Sequence, residues 1–464
     1  MEDLTIRNGQ VVTPNGMVKG GLSASNGIIT TVGVDASLPK AREEVDAGGK
    51  IILPGTIDPH LHLGYPTRAG KGEAIFASDF DTESQAAAAS GVTTIISTAL
   101  FWGAAGKSNM ACVKRAKDIG REQSLVDFRI TAYILNPQHI AEVSELLNEG
   151  ITSFKFLTAY RGEEARQVGI SDVTWGLVYQ GFEAISKLPR PAMAMLHAEN
   201  VDLMEVFSER VKKSGRSDLA AWTDTRPGLC EELDILISGA MAKELGLRLY
   251  YPHIGSNQAM EAIGSLCGQG AELFVETCPH YLTFTVDSPL GALGKVNPPL
   301  RTADDVEGMW EAASMGLVDT LGTDHVVTSA QTQNKDELWK STPGFSSLGL
   351  PLPILTTYGL ENGLLTWQQI AEMTSENVAR LFGMYPTKGV LAPGSDADII
   401  IVDPEAKWKV NHKDWLKTSD FCIYDGMELK GKVGKTFVRG KLVGENMKAV
   451  AQKPWGKFVE PVLE

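Results

Sequence analysis

Apolar, β-branched runs recur along the middle of the chain, separated by stretches whose apolar positions fall at helical spacing. The runs are Ile51-Ile52-Leu53, Val92-Thr93-Thr94-Ile95-Ile96, Phe128-Arg129-Ile130-Thr131, Ser153-Phe154-Lys155-Phe156, Ala192 to Leu196, Leu247 to Tyr251, Glu272 to Thr277 and Val318-Asp319-Thr320-Leu321. Between them lie helical patterns such as Asp81 to Ser90, His139 to Asn148, Leu203 to Lys213 and Glu231 to Leu245. Strands alternating with helices argue for parallel βαβ units. Eight such runs predict an α/β fold, a (β/α)8 TIM-like barrel over residues 52–385. A doubly wound open sheet is the structural rival. It wants a glycine-rich phosphate loop after the first strand, and the sequence has none there.

The two chain ends have a different texture. Leu4 to Arg7, Gln10 to Thr13 and Gly27 to Val32 are short β-rich runs, punctuated by Asn8-Gly9, Asn15-Gly16 and Asn26-Gly27. Asn-Gly is a strong hairpin-turn signal. Near the other end, Asp396 to Val402 reads as a buried strand and Gly434 to Val443 as a hairpin. Residues 1–51 and 386–464 are therefore expected to build one small β-sandwich domain from both ends, with a C-terminal tail.

Composition narrows the setting. The 464 residues are 43% hydrophobic and 22% charged, ordinary for a globular protein. Five scattered cysteines form no CxxC pair, so neither a disulfide framework nor a zinc ribbon is indicated. Reduced thiols and a cytoplasmic setting are the expectation. The acidic start, Met1-Glu2-Asp3-Leu4-Thr5, does not read as a signal peptide, and no run of 18 apolar residues predicts a membrane span. A net charge of −14 disfavours a nucleic-acid partner, because phosphate binding needs a basic face.

Chemistry concentrates at the predicted strand ends. His60 and His62 follow the first run, and residues i and i+2 of a strand share a face, so the two can converge on one metal ion. A plain pair of surface or core histidines is the alternative. His197 ends the fifth run, His253 the sixth and Asp324 the eighth, while Lys155 lies in the fourth. In a barrel these ends open onto one mouth, where active sites form. Four histidines, an aspartate and a lysine at the ends of five strands are hard to ascribe to packing. Lys155 stands out, because an ammonium has no lone pair for a metal. Burial lowers a lysine's pKa and frees its amine, which can add CO₂ to give an anionic carbamate with two oxygens. A lysine snorkelling to solvent is the bland reading.

As a set, Asp58-Pro59-His60-Leu61-His62, Ser153-Phe154-Lys155, His197-Ala198-Glu199-Asn200, the His253 strand end and Gly322-Thr323-Asp324-His325 resemble the cyclic amidohydrolases. These are hydantoinase, dihydropyrimidinase, allantoinase and dihydroorotase. The resemblance spans nearly the whole chain and includes Ser375-Glu376-Asn377 and Gly394-Ser395-Asp396-Ala397-Asp398. It implies two divalent metal ions, expected to be zinc. His60, His62 and Asp324 would hold the more buried one, His197 and His253 the more exposed one, and carboxylated Lys155 with a hydroxide would bridge both. Two metals acidify the shared water. Asp324 would take its proton and deliver it to the leaving nitrogen.

Tyr160 resembles the tyrosine by which hydantoinases and dihydropyrimidinases bond the substrate carbonyl, with packing at the barrel mouth as its alternative. Asn297 stands where hydantoinases commonly carry serine and would lend backbone groups to the ring amide. Leu63 and Phe101 complete the expected substrate contacts, the latter in the aromatic stretch Ser97 to Trp102 that suggests a bulky apolar ring substituent. Dihydroorotases place an arginine where this chain has Gly64. The resemblance thus leans to hydantoin or dihydropyrimidine ring opening. Departures remain: Val326-Val327-Thr328 follows His325, and Cys278-Pro279-His280-Tyr281 looks more like allantoinase or dihydroorotase. Allantoinase-type ring opening is the first alternative, and a catalytically inactive dihydropyrimidinase-like binding protein the second. Family members are commonly homotetramers or dimers, so a homo-oligomer is expected.

Overall fold

The computed structural model describes residues 1–64, 79–98, 108–161, 172–328, 337–451 and 454–463, with the backbone of a short strand pair, Pro66–Thr67 and Ile75–Phe76. Eight parallel strands pair in sequence order: Thr56–His62, Val92–Thr98, Asp127–Tyr133, Ser153–Leu157, Met193–His197, Leu249–Tyr251, Leu273–Thr277 and Thr320–Leu321. The eighth resumes past Asp324 as His325–Val326, which pairs with the first strand and closes the barrel. Every residue of the second to fifth strands is buried, as strands with helices on one face and packed side chains on the other must be. No helix among the described residues is long and apolar enough to cross a membrane.

The helices follow the apolar spacing closely. Phe80–Ser90 is capped by Asp79, whose carboxylate accepts the Thr82 N–H at 2.7 Å, and stops at Gly91, whose φ of 95° turns the chain into the second strand. The patterns at 203–213 and 231–245 become Val201–Lys213 and Gly228–Leu245. The pattern at 139–148 is split at Glu142 into Pro137–Ala141 and Val143–Asn148.

Both chain ends meet in one nine-stranded sheet. Glu2–Thr13 pairs with Gly16–Ser25, and Ile399–Asp403 pairs with Lys432–Val438. Leu4, Ile6, Leu22, Ile52, Ile399 and Phe437 form its own apolar core. Asn26-Gly27 and Arg439-Gly440, all at positive φ, make two-residue hairpin turns. Asn8-Gly9 does not: it sits at a register shift inside one long strand. The run Ile51-Ile52-Leu53 also departs from expectation. It belongs to Ile51–Pro54, which pairs with Glu2–Thr13 and Ile399–Asp403 in the end-built sheet, not in the barrel. The chain crosses between the two sheets at Gly55. A side chain there would meet Thr93 at 2.2 Å, and the Gly55 N–H donates to the Asp398 carbonyl at 2.9 Å. The first barrel strand is therefore Thr56–His62, and it carries both histidines itself.

A buried ion cluster ties sheet to barrel at the end opposite the strand mouths. Lys388, 2% exposed, bonds Asp127, Asp396 and Asp398, and Arg439 also bonds Asp127. Residues 457–459 run alongside Phe128, whose N–H donates to the Lys457 carbonyl at 2.9 Å. Removing one partner from such a cluster strands the others in a dry interior. Lys388→Met is therefore expected to cost about 3–5 kcal/mol, read as a lower urea midpoint with the same slope.

Candidate active site

The strand ends bring the sequence-predicted groups to one mouth. His60 Nε2 lies 2.5 Å from Lys155 Nζ and 3.3 Å from Asp324 Oδ1, and His62 Nε2 lies 3.0 Å from the same oxygen. Oxygen and nitrogen atoms of His60, His62 and Asp324 lie within 4.8 Å of one another, close enough to share a cation. The His253 ring stands 5.3 Å from His60 and 4.5 Å from His197, centre to centre, and Tyr160 stands 5.7 Å from His197. His62, Lys155, Tyr160, His197, His253, Asn297 and Asp324 all line one cavity that opens to solvent. Leu63 does not: it is buried in the apolar core, its N–H bonded to Ser97 Oγ at 3.2 Å. Phe101 lies outside the described residues.

The electrostatics suit lone-pair donors. Burial pushes the His60 pKa down to about 3 and that of His62 to about 4, so both are neutral imidazoles at neutral pH. Burial, with His197 beside it, drives His253 well below the usual range. Burial lowers Lys155 to about 8. Burial raises Asp324, but His60 and the His62 hydrogen bond outweigh it and hold the carboxyl well below its ordinary value. The fit to a cation rests on His253 most directly, since neither of its buried ring nitrogens has a hydrogen-bond partner. An unpartnered buried polar group costs about 1–3 kcal/mol. Among the described residues, the other acidic group with metal-like spacing, Asp127 with Asp396 and Asp398, already surrounds Lys388.

An amidohydrolase family profile matches residues 294–443. Over 468 residues the sequence is 30% identical to the L-hydantoinase of Paenarthrobacter aurescens, with 99% of this chain and 98% of the relative covered. The chain belongs to the amidohydrolase family. An allantoinase of Rubrobacter xylanophilus is 29% identical over 470 residues, covering 100% of this chain and 98% of the relative. The crystal structure of dihydropyrimidinase from Brevibacillus agri matches with a TM-score of 0.90 at 28% identity, over 99% of both chains.

This amidohydrolase also carries a set of supporting groups that sequence reasoning passed over. Glu276 Oε1 accepts from His60 Nδ1 at 2.9 Å, and Glu276 is itself held by the Tyr250 hydroxyl at 2.6 Å. Thr98 Oγ1 bonds His62 Nδ1 at 3.2 Å, and Glu199 Oε2 bonds His197 Nε2 at 2.7 Å. So held, His60 and His62 turn their Nε2 atoms to Asp324 at the mouth. Asp58 accepts from the His60 N–H and from both the N–H and hydroxyl of Thr323, fixing the first strand against the eighth. The available signal was an acidic residue on a strand otherwise apolar, as at Glu276.

His253 supplies the test of metal fit. Adding zinc to chelated protein at 100 times its dissociation constant should stabilise the fold by about 2.7 kcal/mol. His253→Asn tolerates the local φ of 48° and should lose much of that gain. Thermal unfolding with and without zinc reads both, and an undiminished zinc shift would count against His253 as a ligand.

Proposed function

We propose that this protein opens a cyclic amide of hydantoin or dihydropyrimidine type by metal-dependent hydrolysis. The observation that carries the reading is the gathering of His60, His62, Lys155, His197, His253 and Asp324 at one barrel mouth, with neither ring nitrogen of His253 hydrogen-bonded. His60, His62 and Asp324 would hold one divalent ion, His197 and His253 a second, and a carbamate on Lys155 would lie between them. When bound, such a pair acidifies water and polarises the amide carbonyl.

The chain's own groups supply the rest. Asp324 accepts a proton from the attacking water and passes it to the ring nitrogen as the C–N bond breaks. The Tyr160 hydroxyl donates to the carbonyl oxygen as negative charge develops there. Asn297 places its backbone against the ring amide. Tyr133, Leu157, Val296 and Val326 give the cavity an apolar wall, which supports a ring bearing an apolar rather than a charged substituent. Zinc is favoured by a donor set of imidazole and carboxylate. Five free cysteines support a cytoplasmic setting, and a homo-oligomer is carried over from the family resemblance.

A second reading keeps the chemistry and changes the ring. Cys278-Pro279-His280-Tyr281 and the allantoinase relative support allantoin as substrate. Ring-opening assays on 5-substituted hydantoins, dihydrouracil and allantoin, run beside metal quantification, decide between them. Absence of both bound metal and turnover would leave only the inactive binding protein. Lys155→Ala should lose metal and activity together, with partial recovery in short carboxylic acids that mimic the carbamate. Full metal loading of that variant without additive contradicts the bridge. Asp324→Asn should keep the fold by circular dichroism and lose turnover by about 10²–10⁴-fold or more. A near-normal rate rules out its proton transfer.

A further inference from the structure

Behind His197 runs a buried chain of side chains that the proposed chemistry does not use. Glu199 Oε2 bonds His197 Nε2 at 2.7 Å and accepts from Arg226 Nη1 at 3.1 Å; the two residues are 0% and 2% exposed. The other Glu199 oxygen is buried without a partner, so one oxygen serves both neighbours. The Arg226 guanidinium lies 4.7 Å from the Trp222 ring centre. The Trp222 indole N–H donates to the Val296 carbonyl at 3.0 Å. The Lys295 ammonium lies 4.1 Å from the same ring, and the Lys295 carbonyl accepts from the Gly344 N–H at 2.9 Å. Val296, Asn297, Pro343 and Gly344 all line the cavity. Arg301 bonds the Arg226 carbonyl at 2.5 Å and also bonds Glu231, so the backbone under the chain is fixed as well. The carboxylate behind His60 is different in kind: Glu276 is held by the neutral Tyr250 hydroxyl.

We infer that Arg226 is a positioning residue that joins the metal side of the cavity to its substrate wall. By clamping Glu199 it keeps the His197 ring turned with Nδ1 towards the cavity. Through Trp222 it braces the Val296-Asn297 segment against which the ring amide would lie. The inference rests on the reading above, in which His197 holds one of two metals. Arginine is suited to the task because its planar fork bonds a carboxylate while its face stacks on an aromatic ring.

The test is zinc titration of chelated full-length protein against a competing chelator, for wild type, Arg226→Met, Arg226→Lys and Trp222→Phe, with folding checked by circular dichroism. Wild type should bind two zinc ions. Arg226→Met should keep one site at wild-type affinity and weaken the other about 10–100-fold, the usual effect of losing such a supporting contact. Arg226→Lys should recover part of that loss. Trp222→Phe should keep both metals and raise KM for a ring amide more than it lowers kcat. A folded Arg226→Met with two wild-type sites overturns the inference and leaves the functional reading intact. A wild type that binds no zinc overturns the functional reading itself. Should Arg226→Met fail to fold, Glu199→Gln decides, with the same selective loss expected and the same unchanged pair of sites refuting it.

Discussion

Six groups crowded into a barrel mouth, four of them buried, cannot all satisfy one another. His60, His62, His253 and Asp324 offer lone pairs, and the one proton-rich group among them, Lys155, reaches His60 Nε2. His253 is left with two buried nitrogens and no donor or acceptor for either. Proteins seldom keep such groups, because each forfeits its hydrogen bonds to water without replacement. The cluster makes physical sense as a cradle for positive charge, and a closed parallel barrel gives it a stiff frame.

That stiffness has visible sources. His253 and Asp324 both sit at positive φ, 48° and 47°, a region where a non-glycine residue is held only by its surroundings. The His253 N–H donates to Glu276 Oε1 at 3.2 Å, the oxygen that also holds His60, so one carboxylate fixes both histidines. Next to Asp324, His325 is pinned on both ring nitrogens: Nε2 to Glu83 at 2.9 Å, and Nδ1 by the Ser347 N–H at 3.2 Å. The eighth strand breaks between its two paired pieces at Asp324, which frees that carboxylate to turn into the mouth.

The barrel and the gathering of polar groups at its mouth were legible because both rest on periodic or chemical signals that need no partner to be seen. Strand-helix alternation fixes the order of strand ends, and histidines at strand ends are rare enough to notice. Ile51-Ile52-Leu53 misled for a physical reason. A strand buried in an end-built sheet and one buried in a barrel have the same apolar run, and only the Pro54-Gly55 bend separates them. Asn8-Gly9 misled likewise, since a pair suited to positive φ serves a bulge within a strand as well as a turn between two. Glu276 gave only the signal of an acid on an apolar strand, and the roles of Glu199 and Arg226 gave none. Each is justified by a contact across 27 residues or more of chain, or by a neighbour two positions away whose direction only the fold decides.

Reaction type and ring choice are written into different parts of this molecule. The four histidines, Lys155 and Asp324 stand on strands or close to their ends, where hydrogen-bond ladders fix them. The cavity wall comes largely from connecting segments: Tyr160 beyond the fourth strand, Val296 and Asn297 beyond the seventh, Pro343 and Gly344 beyond the eighth. Loops tolerate substitution that strands do not. A wall change at Val296 or Pro343 can reshape the cavity while His60, Lys155 and Asp324 stay in place. The Arg226–Trp222 chain is where this separation is incomplete, because it links His197 and a wall segment to the same indole.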